Sequence, residues 1–365
     1  MKWPSFVLAT AGFCFGFSGG DRGQSLREAA MSSRLLIGTA VRPAHLSEAD
    51  YAFTLAREFN MVEPEDALKW EVVHPRPQSY DFSQADQIVD FAMSHGMRVR
   101  GHTLVWHRQN PKWLTEGSFT SAELSEILEK HIRTVVGHYR GKIFAWDVVN
   151  EAFDELRPGT LRSTIWRDQP GIGSPGNAAA PYSYIERCFR WAHEADPQAL
   201  LFYNEAEAEA VNPKSDAIYA MVRDFRQRGV PIDGVGFQMH IANLHADVAS
   251  ISANIKRFVD LGVQVHITEM DVALPVNGDG NARAEDLQRQ ADIYRQIANA
   301  CVSHLVSYSG CTAIQTWGFT DKYSWIGSHS KQTQGAALPF DRNYRTKPAY
   351  EALRGALEQG GVVSR

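Results

Sequence analysis

Glu151 and Glu269 each end a short run of apolar and β-branched residues, Trp146-Asp147-Val148-Val149-Asn150-Glu151 and Val265-His266-Ile267-Thr268-Glu269. Such runs read as buried strands of a parallel sheet. A carboxylate at the exit of a parallel strand sits where α/β barrels place their chemistry. Two carboxylates facing each other across a sugar, one a nucleophile and the other a proton donor, form the working pair for hydrolysis of a glycosidic bond. A lone glutamate after an apolar run is more often a solvated surface residue, so the surrounding elements must decide.

The chain supplies those elements. Eight strand candidates alternate with helical stretches: Leu35–Thr39, Met61–Pro64, Arg98–Val105, Phe144–Val149, Leu200–Asn204, Gly234–Gln238, Gln264–Thr268 and Thr312–Trp317. Between them lie amphipathic stretches such as Ser121–Tyr139, Tyr182–Ala195 and Lys214–Gln227. Repeated βα units predict an α/β fold, a (β/α)8 TIM barrel in a single catalytic domain spanning residues 33–360; an open sheet is the alternative. His102, Glu151, Asn204, Gln238, His240, Glu269 and Trp317 then fall at or just past the C-terminal ends of strands. So much polar and aromatic chemistry on one rim would be odd in a purely structural barrel. Two longer βα segments, Arg167–Pro181 and Lys322–Pro339, are expected to build the cleft walls.

Bulk properties narrow the partners. A length of 365 residues is ordinary for such a barrel, and a net charge of −5 without a basic cluster argues against nucleic acid and against an anionic membrane surface. A neutral polysaccharide needs no strong field. Met1 to Gly20 reads as a secretory signal, with Lys2 as its charge and Phe6 to Phe17 as its apolar stretch, so a secreted or periplasmic monomer is expected. Cys301 near a helix end and Cys311 before the last strand can be joined by a disulfide in an exported protein; two reduced, buried cysteines are the alternative. Cys188 is expected to be a buried apolar residue. No metal and no cofactor are expected: His102 and His107 lack further Cys or His partners, and no Gly-rich phosphate loop is present.

Six runs carry a resemblance. They are Glu65-Asp66-Ala67-Leu68-Lys69-Trp70-Glu71, Gly101 to His107, Trp146 to Glu151, Gly236-Phe237-Gln238-Met239-His240, Ile267 to Asp271, and Trp317-Gly318-Phe319-Thr320-Asp321 with Trp325. In this order the chain is similar to the family ten β-1,4-xylanases from about Leu35 to Leu357. The resemblance implies a retaining endo-β-1,4-xylanase, with Glu269 as nucleophile and Glu151 as acid and then base, Glu151 holding the proton while Glu269 is ionised. It implies that His240, in a chain with Asp271, supports the nucleophile. It places Asn150 at the sugar 2-hydroxyl and Glu65, Asp66, Lys69, His102, Asn204 and Gln238 among the substrate-binding residues. Trp317, Trp325 and Trp106 form aromatic walls on the glycone side. Gln109 and Trp325 crowd the place of a hexose hydroxymethyl group, an exclusion worth only about 1–3 kcal/mol.

The chain also departs from that pattern. Asp66 stands where many relatives carry Asn, Glu205-Ala206-Glu207 where Asp, Tyr and Asn are common, and Met239 where a small polar residue is usual. These departures bear on subsite affinities and leave the catalytic pair untouched. Readings to weigh against the leading one are a relative acting on short xylo-oligosaccharides or other β-glycosides, a transferase variant, and a non-catalytic xylan-binding barrel.

Overall fold

The apolar runs form a closed cylinder: β1 (Leu36–Val41), β2 (Met61–Pro64), β3 (Arg98–Val105), β4 (Ile143–Asn150), β5 (Leu200–Glu205), β6 (Gly234–Phe237), β7 (Gln264–Val272) and β8 (Ser309–Thr316). Each strand pairs in parallel with the next, and β8 closes on β1 in the register Leu36↔Ala313 to Thr39↔Thr316. The structure, a computed structural model, describes residues 24–168, 170–173, 180–306 and 309–363. The expected signal, Met1 to Gly20, and part of the Arg167–Pro181 loop lie outside the described residues. The strands match the expected eight to within a few residues, and the architecture is the expected (β/α)8 barrel.

A helix follows each strand: α2 (Ala49–Glu58), α3 (Ser83–Ser94), α4 (Ser121–His138), α5 (Ser183–Ala195), α6 (Pro213–Gln227), α7 (Val248–Asp260), α8 (Ala284–Ser303) and α9 (Pro348–Val363). An added helix, α1 (Leu26–Ser33), precedes β1 and packs on α9. Local sequence fixes the starts of several. Ser25 with Glu28, Thr120 with Glu123, and Asn212 with Ser215 each make a reciprocal capping box at α1, α4 and α6. Each such cap satisfies otherwise orphaned N–H groups and stabilises its helix by about 1 kcal/mol. Their apolar faces bury Leu124, Leu128, Ile132 and Val135 of α4, and Ile218, Met221, Val222 and Phe225 of α6.

Cys301 of α8 and Cys311 of β8 are joined by a disulfide with a Cα–Cα distance of 5.2 Å, as one of the two expectations held, and Cys188 is buried. No helix among the described residues is long and apolar enough to cross a membrane. The interior of the barrel is unusually polar. Arg100 on β3 reaches Asp147 on β4, lies 3.0 Å from Glu63 on β2, and pairs with His266 on β7 at 2.7 Å. All four side chains are buried. Charges removed from water persist only when paired, so this network ties four strands together directly beneath the rim.

Candidate active site

The C-terminal ends of the strands open into a cleft of about 590 Å³, within the range of roughly 300–1,000 Å³ typical of ligand sites. Glu65, Asp66, Lys69, His102, Trp106, Asn150, Glu151, Gln238, His240, Glu269, Trp317 and Trp325 all line it. The two glutamates come from β4 and β7 and have different surroundings. Glu151 accepts from Trp106 Nε1 at 2.8 Å and from Gln238 Nε2 at 2.9 Å. Glu269 accepts from Asn204 Nδ2 at 2.8 Å and lies 3.1 Å from His240 Nε2.

One chain of amides links the pair. Asn204 Nδ2 donates both to Glu269 and, at 2.9 Å, to Asn150 Oδ1; Gln238 Nε2 donates to the same oxygen at 3.3 Å and to Glu151. Thr268 donates to Asn204 Oδ1 at 2.7 Å and so fixes the orientation of that amide. Asn204, expected among the residues touching sugar, is fully buried. It acts instead by holding Asn150 and Glu269. Gly236 makes room for it: a Cβ at Gly236 would lie 2.2 Å from Asn204 Oδ1.

His240 sits between two carboxylates. Its Nδ1 lies 3.0 Å from Asp271 Oδ2, which also accepts from Trp325 Nε1 at 2.8 Å. Burial works against a charge on the ring, but Asp271 and Glu269 on its two nitrogens raise His240 well above the ordinary histidine range. His240 thereby sets a positive charge against Glu269 Oε2. His102 is raised in the same way: burial opposes its charge, and the 3.0 Å bond to Asp147 with the nearby Glu63 and Glu269 outweighs it. Below it, burial and the neighbouring Asp147 push Glu63 up to about 8.

Glu151 is tuned by competing influences. Burial alone would raise it, yet the bonds from Gln238 and Trp106, with His107 and Arg108 nearby, bring it below the usual glutamate value. In the open cleft Glu151 thus has a lowered proton affinity, set by these donors and charges. Two N–H donors aimed at one carboxylate favour the ionised form.

At one end of the cleft Lys69 Nζ lies 3.0 Å from Asp66 Oδ1, 4.9 Å from the Trp106 ring centre and 5.8 Å from that of Trp317. Arg42, just past β1, contacts Glu65 at 2.7 Å and Asp66 at 3.0 Å. Burial would raise Asp66, but Lys69 and Arg42 outweigh it and hold the carboxyl below its usual value, so the added charge is real and paired. Gln109 Nε2 donates to Glu71 at 3.0 Å and to Asp66 at 3.4 Å, which sets it at the rim. On the opposite side Ala206 and the exposed Glu207 line the cleft without a ring, whereas Glu205 is buried beneath and does not face it.

Arg42, Arg108, Glu155, Glu209 and His329 also line the cleft and were not anticipated. The position of Arg42 at a strand exit was a signal open to sequence reading. Arg108, Glu155 and Glu209 sit in loops, and His329 ends a four-residue helix, none of them placed by a local pattern. Glu63, His102 and Asp147 bring ligand atoms within 4.8 Å of one another, a grouping that could hold a cation among the described residues. Arg100 already supplies positive charge there.

A closed parallel barrel whose rim carries two carboxylates in one cleft defines the class of α/β-barrel glycoside hydrolases. The family model of Glycosyl hydrolase family 10 matches residues 25–356, and the chain belongs to that family. It is 41% identical over 359 residues to endo-1,4-beta-xylanase B of Thermotoga neapolitana, covering 98% of this chain and 97% of that one. A beta-1,4-xylanase of Dictyoglomus thermophilum is 41% identical over 322 residues, 86% of each chain. Among solved structures, xylanase 10B of Thermotoga petrophila RKU-1 in complex with xylobiose superimposes with a TM-score of 0.85 at 41% identity, covering 94% of this chain and all of that one.

Proposed function

We propose that the protein is an endo-β-1,4-xylanase that hydrolyses internal bonds of xylan with retention of configuration. The observation that carries this reading is the asymmetric pair in one cleft: Glu269 against the His240 imidazolium and Glu151 under the Trp106 and Gln238 donors. Glu269 attacks the anomeric carbon while Glu151 protonates the departing oxygen, leaving a glycosyl ester on Glu269. Water activated by Glu151 then attacks the anomeric carbon, breaking its bond to Glu269 and releasing the sugar with retained configuration. Asn150, held by Asn204, meets the 2-hydroxyl of the cleaved sugar.

The low proton affinity of Glu151 in the open cleft suits the second step. A bound sugar strips water from Glu151 in the presence of the Glu269 charge, and both effects raise it into the proton-holding form. Esterification of Glu269 removes that charge and returns Glu151 to the base form. Lys69 and the rings of Trp106 and Trp317 bind the glycone end.

The same reading takes the enzyme as an exported monomer, supported by the apolar Phe6 to Phe17 stretch and by the Cys301–Cys311 bond, which persists in oxidising compartments. Fractionation of the producing cells and size-exclusion chromatography check these two points. The catalytic assignment is checked by a product time course on β-1,4-xylan and carboxymethyl cellulose, with wild type and Glu269→Ala. Mixed xylo-oligosaccharides from xylan alone, and none from the variant, are expected; release by the variant at the wild-type rate would sink the nucleophile assignment.

A further inference from the structure

The backbone that carries Glu151 is held at every polar atom across three residues. Glu151 itself has a φ of 53°, in the left-handed region that a side-chain-bearing residue seldom adopts unless its surroundings impose it. On the β5 side, the Glu151 N–H donates to Asn204 O at 3.0 Å. The Ala152 N–H donates to the Tyr203 hydroxyl at 3.0 Å, and the Phe153 N–H to Glu205 Oε2 at 3.2 Å. On the other side a single residue takes all three carbonyls. Arg162 Nε donates to Glu151 O at 3.2 Å, its backbone N–H to Ala152 O at 2.7 Å, and a terminal guanidinium nitrogen to Phe153 O at 3.1 Å.

Glu205 is locked in its turn. Its Oε2 accepts from the Tyr203 hydroxyl at 2.5 Å, which commits that proton and leaves the hydroxyl lone pair for Ala152. Its Oε1 accepts from the Ala206 N–H at 3.2 Å and lies 3.5 Å from Lys214 Nζ. Tyr203, Glu205 and Lys214 are buried, so water does not replace these bonds. None of the three touches the cleft.

We infer that Glu205, acting with Tyr203, and Arg162 form a two-sided clamp that fixes the backbone of Glu151 and thereby aims its carboxyl at the departing oxygen. They are positioning residues for proton transfer, and the inference rests on the assignment of Glu151 as the acid and base. A misplacement of about 1 Å at such a group can cost a hundredfold in rate. The clamp therefore matters most when bond cleavage needs the proton.

The test compares Glu205→Gln, Tyr203→Phe and Arg162→Lys with wild type and Glu151→Ala. For each, kcat/KM is measured on β-1,4-xylan and on a dinitrophenyl β-xylobioside, whose leaving group departs without a proton, and the melting temperature is recorded. Glu151→Ala should lose far more on xylan than on the aryl substrate. The clamp variants should show the same split in smaller measure, about tenfold or more on xylan against less than about threefold on the aryl glycoside. A merely structural role would lower both substrates by one common factor. Equal losses, or none, in the folded clamp variants while Glu151→Ala shows the split would overturn the clamp and leave the acid assignment standing. Absence of the split in Glu151→Ala would overturn both. If one variant fails to fold, the remaining two decide, since each removes a bond to the Glu151–Phe153 backbone or to the group that makes one.

Discussion

Lys69 and Asp66 form a 3.0 Å ion pair inside the cleft, so the amine that would otherwise face a neutral sugar alone is already neutralised by a neighbour on the same turn. Arg42 sits on the other oxygen of Asp66 at 3.0 Å. Asp66→Asn should free one amine and add an amide donor for a sugar hydroxyl. The reacting bond is not touched, so the change belongs in KM. We expect KM for xylan to fall by a few-fold, less than about tenfold because the group is partly solvated, with kcat unchanged. Steady-state kinetics on xylotetraose and xylan check this; a change confined to kcat would contradict it.

Protonated His240 links folding to alkaline pH. Its folded value is raised well above the ordinary 6.5, and His102 is raised too. The stability that each contributes is complete below its unfolded value and is lost as pH rises through the folded value. Removal of the ring by His240→Asn should thus cost most near neutrality. The difference in melting temperature between wild type and variant should narrow from about pH 7 to about pH 10. A constant difference across that range would show that the ring is not charged in the native protein.

Gly236 gives a way to disturb the pair without touching either glutamate. An alanine Cβ there would meet Asn204 Oδ1 at 2.2 Å and Thr268 Cγ2 at 2.9 Å. Overpacking of this kind costs about 1–3 kcal/mol. Asn204 must yield, and with it the bonds to Asn150 and Glu269. Gly236→Ala should therefore lower the melting temperature and cut kcat on xylan by about tenfold per folded molecule. Retention of full kcat would mean that the amide link carries no catalytic weight.

The disulfide closes a short loop, with Cys301 and Cys311 only 10 residues apart. Chain-entropy arguments give about 2–3 kcal/mol for a loop of this size. The double variant Cys301→Ser, Cys311→Ser should unfold at lower urea by a matching amount while keeping kcat at room temperature. An unchanged midpoint would show that the loop is held by packing alone.

Much of this was legible in the chain. The eight strands declared themselves because apolar and aromatic runs such as Leu200–Tyr203 stand against capped amphipathic helices. Glu151 and Glu269 could be placed because each closes such a run, and a strand exit has one meaning in a parallel barrel. What stayed hidden depends on closure. Arg100 meets His266, 166 residues away, and His102 meets Asp147 across 45. No local pattern announces such pairs. Glu205 was noted only as a departure from the family pattern; its place in the wall follows from alternation along β5, which turns it away from the cleft. The donors around Glu151 stayed hidden for a like reason, since Gln238 and Trp106 are contributed by the ends of different strands.

Strand β8 ends in two very different neighbourhoods. At its start Cys311 is bolted to α8, while just past its other end Trp317 lines the cleft. Heat resistance and sugar preference are thus written at opposite poles of one strand. A lineage, or an engineer, can revise the anchor for a hotter habitat without rewriting the menu, and can retune the menu without loosening the anchor.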